Sequence, residues 1–293
     1  MDAPAKPVFD RSAEDLGNIV ELGHVNVRVP DQHLATLFYV VGLGLTRDPY
    51  LMPGVTNMWI NVGRSQFHLP TGRAQVVDGH TALVVPDLEA LLHRLAGVRP
   101  ALAETRFAVR ETSEYVEATC PWGNRIRCFA PAPHFGAINL GIAHVELAVA
   151  EGTAPGILAF YRDMLDARVE AGADGRHVRV AAGPDQFLIL RETPGPLPAF
   201  DGAHVQITLH DFSRPHARLL ERGLISEESD QHQWRFKNIL DPASGRVLAT
   251  FEHEVRSMRH PLYARPLVNR DPAQTTAAYV SGRDAWRWSI RRA

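Results

Sequence analysis

The segment Gly23-His24-Val25-Asn26-Val27-Arg28-Val29 returns 120 residues later as Ala143-His144-Val145-Glu146-Leu147-Ala148-Val149. A chain that repeats itself at a fixed interval is built from like units, and that constrains its fold more than any local propensity does. Gly63 and Gly183, Gln66 and Gln186, and Phe67 and Phe187 share the same offset. Phe38-Tyr39 and Phe160-Tyr161 match at 122, which two extra residues around 152–156 explain. A second series links Gly79-His80 with Ala203-His204 and Asp87 with Asp211 at offset 124, and the turn Pro121-Trp122-Gly123 then answers to Pro242-Ala243-Ser244-Gly245. Four modules, each opening on a strand led by histidine, account for both series.

Each module reads alike. His144 to Val149 alternates polar and apolar residues, the period of a strand with one buried face. Ile157, Leu158, Phe160, Tyr161, Met164 and Leu165 follow at helical spacing, so a helix covers one face of the sheet. Three short strands come next, around Arg168 to Gly172, His177 to Ala182 and Gln186 to Arg191. The expected fold class is therefore α+β, with four βαβββ modules forming two paired-module domains. The first pair is expected over 22–135 (modules 22–72 and 79–131) and the second over 136–257 (modules 141–192 and 202–257), between an N-terminal extension, 1–21, and a C-terminal tail, 258–293.

With 31 basic and 33 acidic side chains, a net charge of −2 and a pI near 6.7, the chain has no electrostatic pull toward nucleic acid or anionic lipid. The basic cluster Arg283 to Arg292 is short and terminal. No run approaches the ~18 apolar residues of a membrane span, and the first 18 residues have no signal-peptide core, so a cytoplasmic protein is expected. Cys120 and Cys128 flank the Pro121-Trp122-Gly123-Asn124 turn. A cross-strand disulfide is open to them, although two buried reduced thiols suit a cytosolic chain better. Gly42-Leu43-Gly44 follows a helix and lacks the third glycine of a dinucleotide fingerprint. No GxSxG, P-loop or HExxH sequence is present, which argues against serine hydrolase, nucleotidase and zincin chemistry. The tail carries Trp286 and Trp288 and is expected to pack on the surface or on a neighbouring subunit of a homo-oligomer.

Paired βαβββ modules with a His at the first strand, a Phe-Tyr helix and a Pro-Trp-Gly-Asn or Asp-Pro-x-Gly turn before the last strand resemble the vicinal oxygen chelate superfamily, although Asp241-Pro242-Ala243-Ser244-Gly245 carries one residue more than that turn. That superfamily includes glyoxalase I, bleomycin- and fosfomycin-resistance proteins and the type I extradiol dioxygenases. The resemblance covers about Leu22 to Ser257, and four modules in one chain look most like the dioxygenases. It implies a non-haem metal, Fe(2+) with Mn(2+) or Zn(2+) as alternatives, and a small aromatic substrate cleaved with O2.

Carried over residue by residue, the metal ligands of the dioxygenases fall on His144 and His204. The carboxylate position falls on Leu248, so Glu252, four residues along on the same strand face, is taken as third ligand. Two neutral imidazoles and one carboxylate on one face of a metal leave the other face open to a chelating catechol and to O2. In Glu252-His253-Glu254, alternation lets only the two glutamates converge. The tyrosine usual in the family is replaced by Asn238, and His232 is the candidate acid or base. A rival set, His24, His68 and His80, would place a glyoxalase-like lyase or isomerase in the N-terminal modules. Arg127 stands there where a glutamate is expected, and it suits an anionic ligand or a degenerate scaffold. A third reading is a non-enzymatic small-molecule-binding protein of the resistance type.

Overall fold

The computed structural model describes residues 9–51 and 56–269. The first module runs through β1 (Ile19–Asn26), α1 (Gln32–Ala35, continued by a π-helix over Thr36–Gly42), β2 (Thr46–Arg47), β3 (Asn57–Val62) and β4 (Ser65–Pro70). The second comprises β5 (Gly79–Val84), α2 (Leu88–Val98), β6 (Ala108–Glu111), β7 (Val116–Thr119) and β8 (Arg125–Phe129). The third comprises β9 (Gly141–Ala150), α3 (Ala154–Leu165), β10 (Val169–Ala171), β11 (His177–Ala181) and β12 (Phe187–Thr193), and the fourth β13 (His204–Leu209), α4 (Ser213–Glu221), β14 (Ile225–Asp230), β15 (Gln233–Leu240) and β16 (Val247–Ser257). This is the α+β architecture of four βαβββ modules.

The modules do not pair as the halves 22–135 and 136–257. One eight-stranded sheet has the order β14-β15-β16-β13-β1-β4-β3-β2, joining the fourth module to the first. The other, β10-β11-β12-β9-β5-β8-β7-β6, joins the third to the second. A repeat specifies the unit but not its partner, because every module presents a similar free edge on its first strand. Edge complementarity decides. β1 runs antiparallel to β13, with the Glu21 carboxylate taking the Thr208 hydroxyl at 2.8 Å. β5 runs antiparallel to β9, and Gly79 lies so close to Glu146 O, at φ +148, that a Cβ there would overlap it.

Sequential modules meet through their helices instead. Asp31 and Asp87 cap α1 and α2, accepting from the N–H groups of Leu34 and Ala90 at 2.9 Å each, as N-cap aspartates do. The π-helix turns Phe38 and Tyr39 inward, so that Phe38 meets Phe107 of the second module edge-on. In the third module Phe160 packs on Phe236 of the fourth. Phe38, Tyr39, Phe160 and Phe236 are fully buried in one core spanning both sheets, with Phe107 half-buried against it, and each fully buried ring contributes about 1.5–3 kcal/mol. Cys120 and Cys128 are free, buried thiols, and burial pushes Cys128 up to about 12. No helix among the described residues is long and apolar enough to cross a membrane. Trp286 and Trp288 of the tail lie outside the described residues; residues 258–269 run back over the first sheet, where Asn61 Nδ2 donates to Val268 O and Asn269 Nδ2 to Gly63 O.

Candidate metal centre

Alternation on the central strands of the first sheet sends Val25, Val205, Ile207 and Val255 into the core and His24, His204, Gln206 and Glu254 to the opposite face. Across β1 and β13, His24 faces Gln206 and Asn26 faces His204; along β13 and β16, His204 lies beside Glu252 and Gln206 beside Glu254. Gly23 has no side chain to contest the space that Gln206 Oε1 occupies. The result is a compact group, His24, His204 and Glu254, whose ligand atoms all lie within 4.8 Å of one another. All three residues are buried.

His24 Nε2 and both ring nitrogens of His204 are buried without a hydrogen-bond partner. His204 Nδ1 stands 3.4 Å from Glu252 and its Nε2 3.4 Å from Glu254, but neither contact has hydrogen-bond alignment. Buried polar atoms left unpaired cost free energy unless something completes them. Two imidazoles and a carboxylate with converging lone pairs fit a divalent transition metal. Burial holds His24 well below the ordinary imidazole pKa, against the pull of Glu254, so the ring is neutral and able to ligate. Burial alone would raise the Glu254 pKa, but its polar neighbours, the Arg256 guanidinium at 2.7 Å among them, overcome it and keep the carboxylate ionised.

Further side chains orient this group. Arg235 bridges Glu252 and Glu254 at 2.5 and 2.6 Å, and Arg256 reaches Glu254 at 2.7 Å. Charge-assisted contacts of this kind fix ligating carboxylates. His68 stacks on Trp59 with centroids 3.8 Å apart, its Nε2 is 2.8 Å from Asn57 Oδ1, and its ring meets that of His24 edge-on at 5.6 Å. Burial lowers the His68 pKa to about 3. A small cavity beside His24 is lined by Gln66, Gln206 and Arg256 and roofed by Leu262, Tyr263 and Arg265. Arg265 anchors this roof through an ion pair to the buried Asp48.

The structure redistributes the residues expected from the sequence. His204 is at the centre, but His144 is in the other sheet, with its Nε2 3.2 Å from that of His80. The expected set His144, His204 and Glu252 is thus divided between the sheets, and so is the rival set, since His24 and His68 lie in one and His80 in the other. Glu252 flanks the centre, while Glu254 supplies the converging carboxylate. Its parity with Glu252 was the signal available in the sequence. Leu248, the position implied by the family spacing, is buried against Gly156 instead. His253 points into the core, where its Nε2 is 2.7 Å from the Tyr161 hydroxyl. His232 lies in the turn between β14 and β15, and no hydrogen bond or ion pair among the described residues links its side chain to the centre.

No family model and no curated protein matches this sequence. Among solved structures, glyoxalase I from Zea mays superposes with a TM-score of 0.56 at 15% identity, over 82% of this chain and 93% of that one. A presumed dioxygenase from Bacillus subtilis subsp. subtilis str. 168 gives 0.55 at 15% identity, over 84% and 87%. Likeness at this identity speaks for the backbone alone. Together with the module plan and the two mixed sheets, it shows that the chain has the fold seen in these two structures.

Proposed function

We propose that this chain is a metal-dependent oxygenase in which His24, His204 and Glu254 hold one Fe(2+), and that it cleaves a small aromatic ring carrying two adjacent hydroxyls. The observation that carries the reading is the donor set: two buried, unpaired imidazoles and one ionised carboxylate, a combination suited to iron and to oxygen chemistry. Iron bound there supplies the Lewis-acid and redox chemistry by which a vicinal diol and O2 react. The protein's own contribution is positional. Arg235 and Arg256 hold the carboxylates, the Trp59–His68 stack offers a flat wall to a ring, and neutral His68 can accept a hydrogen bond from a substrate hydroxyl and so orient it. The roof of Leu262 and Tyr263 limits the entry of water.

One observation favours a second reading. Glu252, 3.4 Å from His204, is a carboxylate beside the donor set that could act as the base of a glyoxalase-like isomerase. Metal analysis of anaerobically reconstituted protein, paired with O2 uptake on a catechol, tests both. About one iron per chain, lost in His204→Ala and kept in His144→Ala, together with O2 uptake, supports the oxygenase. Stoichiometric metal with isomerisation of a thiohemiacetal and no O2 uptake would favour the isomerase. No stoichiometric metal in the wild type would sink both.

A further inference from the structure

The second sheet repeats the registers of the first with different chemistry. Where Gln206 faces His24 and His204 faces Asn26, Glu146 faces His80 and His144 faces Ala82. On the flanking strands, His68 beside Asn26 answers to Arg127 beside Ala82. Glu252 beside His204 and Glu254 beside Gln206 answer to Phe187 beside His144 and Ile189 beside Glu146. The place of Arg256 is taken by Arg191. Both glutamates of the metal centre thus have apolar counterparts, and a histidine has become an arginine.

The histidines are kept but turned to one another. At 3.2 Å between Nε2 atoms, one ring must donate and the other accept, so the pair is not doubly protonated. Burial and the positive field of Arg127 and Arg191, with Arg125 at His80 and Arg179 at His144, lower the two pKa values to about 3 and about 4. Cationic side chains therefore dominate the field at this point of the face. Glu146, which takes Arg191 Nε at 3.0 Å, is the carboxylate nearest the pair.

Two of these guanidiniums have capacity left. Arg127 gives Nε to Glu117 and lies 4.9 Å above the Tyr115 ring; Arg125 gives Nε to Gly79 O. The terminal nitrogens of both make no hydrogen bond within the described residues, and a planar carboxylate matches such a fork. Phe129, two residues beyond Arg127 on the same strand face, is half-buried, and its ring centroid is 6.5 Å from that of His144. Guanidinium and aromatic surface therefore adjoin on an open sheet face.

We propose that this face is a second binding site, for a small aromatic carboxylate, with the carboxylate on Arg125 and Arg127 and the ring against Phe129 and His144. It is separate from the metal centre and binds without metal.

Isothermal titration calorimetry of the full chain with benzoate, using acetate as the probe without a ring, tests this. Benzoate binds, acetate binds about tenfold more weakly or worse, and Arg125→Gln with Arg127→Gln weakens benzoate by about tenfold or more. Phe129→Leu, which strands no charge, weakens benzoate and leaves acetate unchanged, so the site can be tested even if the double variant fails to fold. His204→Ala leaves benzoate binding intact. Absence of benzoate binding below about 10 mM would overturn the site. So would binding lost in His204→Ala and retained in the arginine variants, or acetate binding as tightly as benzoate.

Discussion

At matching registers the first sheet presents Glu252 and Glu254 and the second Phe187 and Ile189, while both keep a histidine on each central strand. Backbone geometry is therefore not what separates the candidate metal centre from a cationic face. The difference lies in a few side chains. In the first sheet two arginines are matched by half-buried Glu252 and buried Glu254 around the unpaired imidazoles. In the second, two imidazoles satisfy each other and leave guanidinium groups to set the potential. Duplicated modules can hold one fold while their sites move toward opposite charge preferences.

The sharpest way to break this contrast is to write one sheet's residue into the other. Glu254→Ile, the residue found at the corresponding register, removes the only carboxylate of the compact group and takes away the ion-pair partner of Arg256, while Arg235 keeps Glu252. Metal affinity should fall by more than the ~10–100-fold typical of losing an outer partner, and unfolding free energy by about 3–5 kcal/mol for an uncompensated buried charge. Competition with a chelator and urea unfolding read the two effects. Retained metal would show that Glu252 can serve in its place.

Acid sharpens the contrast from the other side. His80 and His144 have folded pKa values of about 3 and about 4, below the ~6.5 of an unfolded chain. Between these limits the unfolded state binds the protons, so stability is complete above pH ~6.5 and is lost as pH falls toward 4, at up to about 1.4 kcal/mol per pH unit for each histidine. Glu146, Arg125, Arg127, Arg179 and Arg191 surround the pair, and the arginines oppose protonation. Urea unfolding at pH 7 and pH 5 should show a smaller loss in His80→Gln with His144→Gln than in the wild type. Parallel losses would mean that the pair does not carry this acid sensitivity.

The roof belongs to the first sheet alone. Arg265→Ala leaves Asp48 with Gln66 and the N–H groups of Tyr50 and Leu51 but removes its cation. The expected cost is about 1–3 kcal/mol, with faster proteolysis after Ser257. An unchanged cleavage rate would show that Asn61 and Asn269 hold the segment without it.

Much of this architecture was legible in the repeat. Alternation at His144 to Val149 and the Phe-Tyr spacing mark the strand and helix of a module, because burial of one face leaves a periodic trace. Partner choice leaves none. β1 finds β13 through cross-strand fit over many residues, so His24 and His204 meet although 180 positions separate them. The carboxylate was half legible: the shared face of Glu252 and Glu254 follows from parity, but which of the two converges on the histidines depends on register. His144 was misplaced for the same reason, since its strand position was right and its neighbour was not.

The smallest effect separates the two tyrosines that the repeat aligns. Tyr161 and Tyr39 are both fully buried beneath the sheets. The Tyr161 hydroxyl is 2.7 Å from His253 Nε2, while the Tyr39 hydroxyl has no hydrogen-bond partner and lies against Cys120. His253 sits between Glu252 and Glu254, stacked on Phe236 at 4.4 Å, and donates through Nδ1 to the Phe251 carbonyl at 2.9 Å. Since an imidazole bound to a carbonyl through Nδ1 must carry its proton there, Nε2 is the acceptor and the tyrosine the donor. Tyr161→Phe leaves that acceptor buried and unpaired, at about 1–3 kcal/mol, whereas Tyr39→Phe removes a group that was already unpaired and should change stability by less than about 0.5 kcal/mol. Thermal unfolding of both variants measures the difference. Because His253 fixes the strand that carries both glutamates, Tyr161→Phe should also weaken metal binding, while Tyr39→Phe leaves it unchanged; equal effects would show that the tyrosines act only by filling the core.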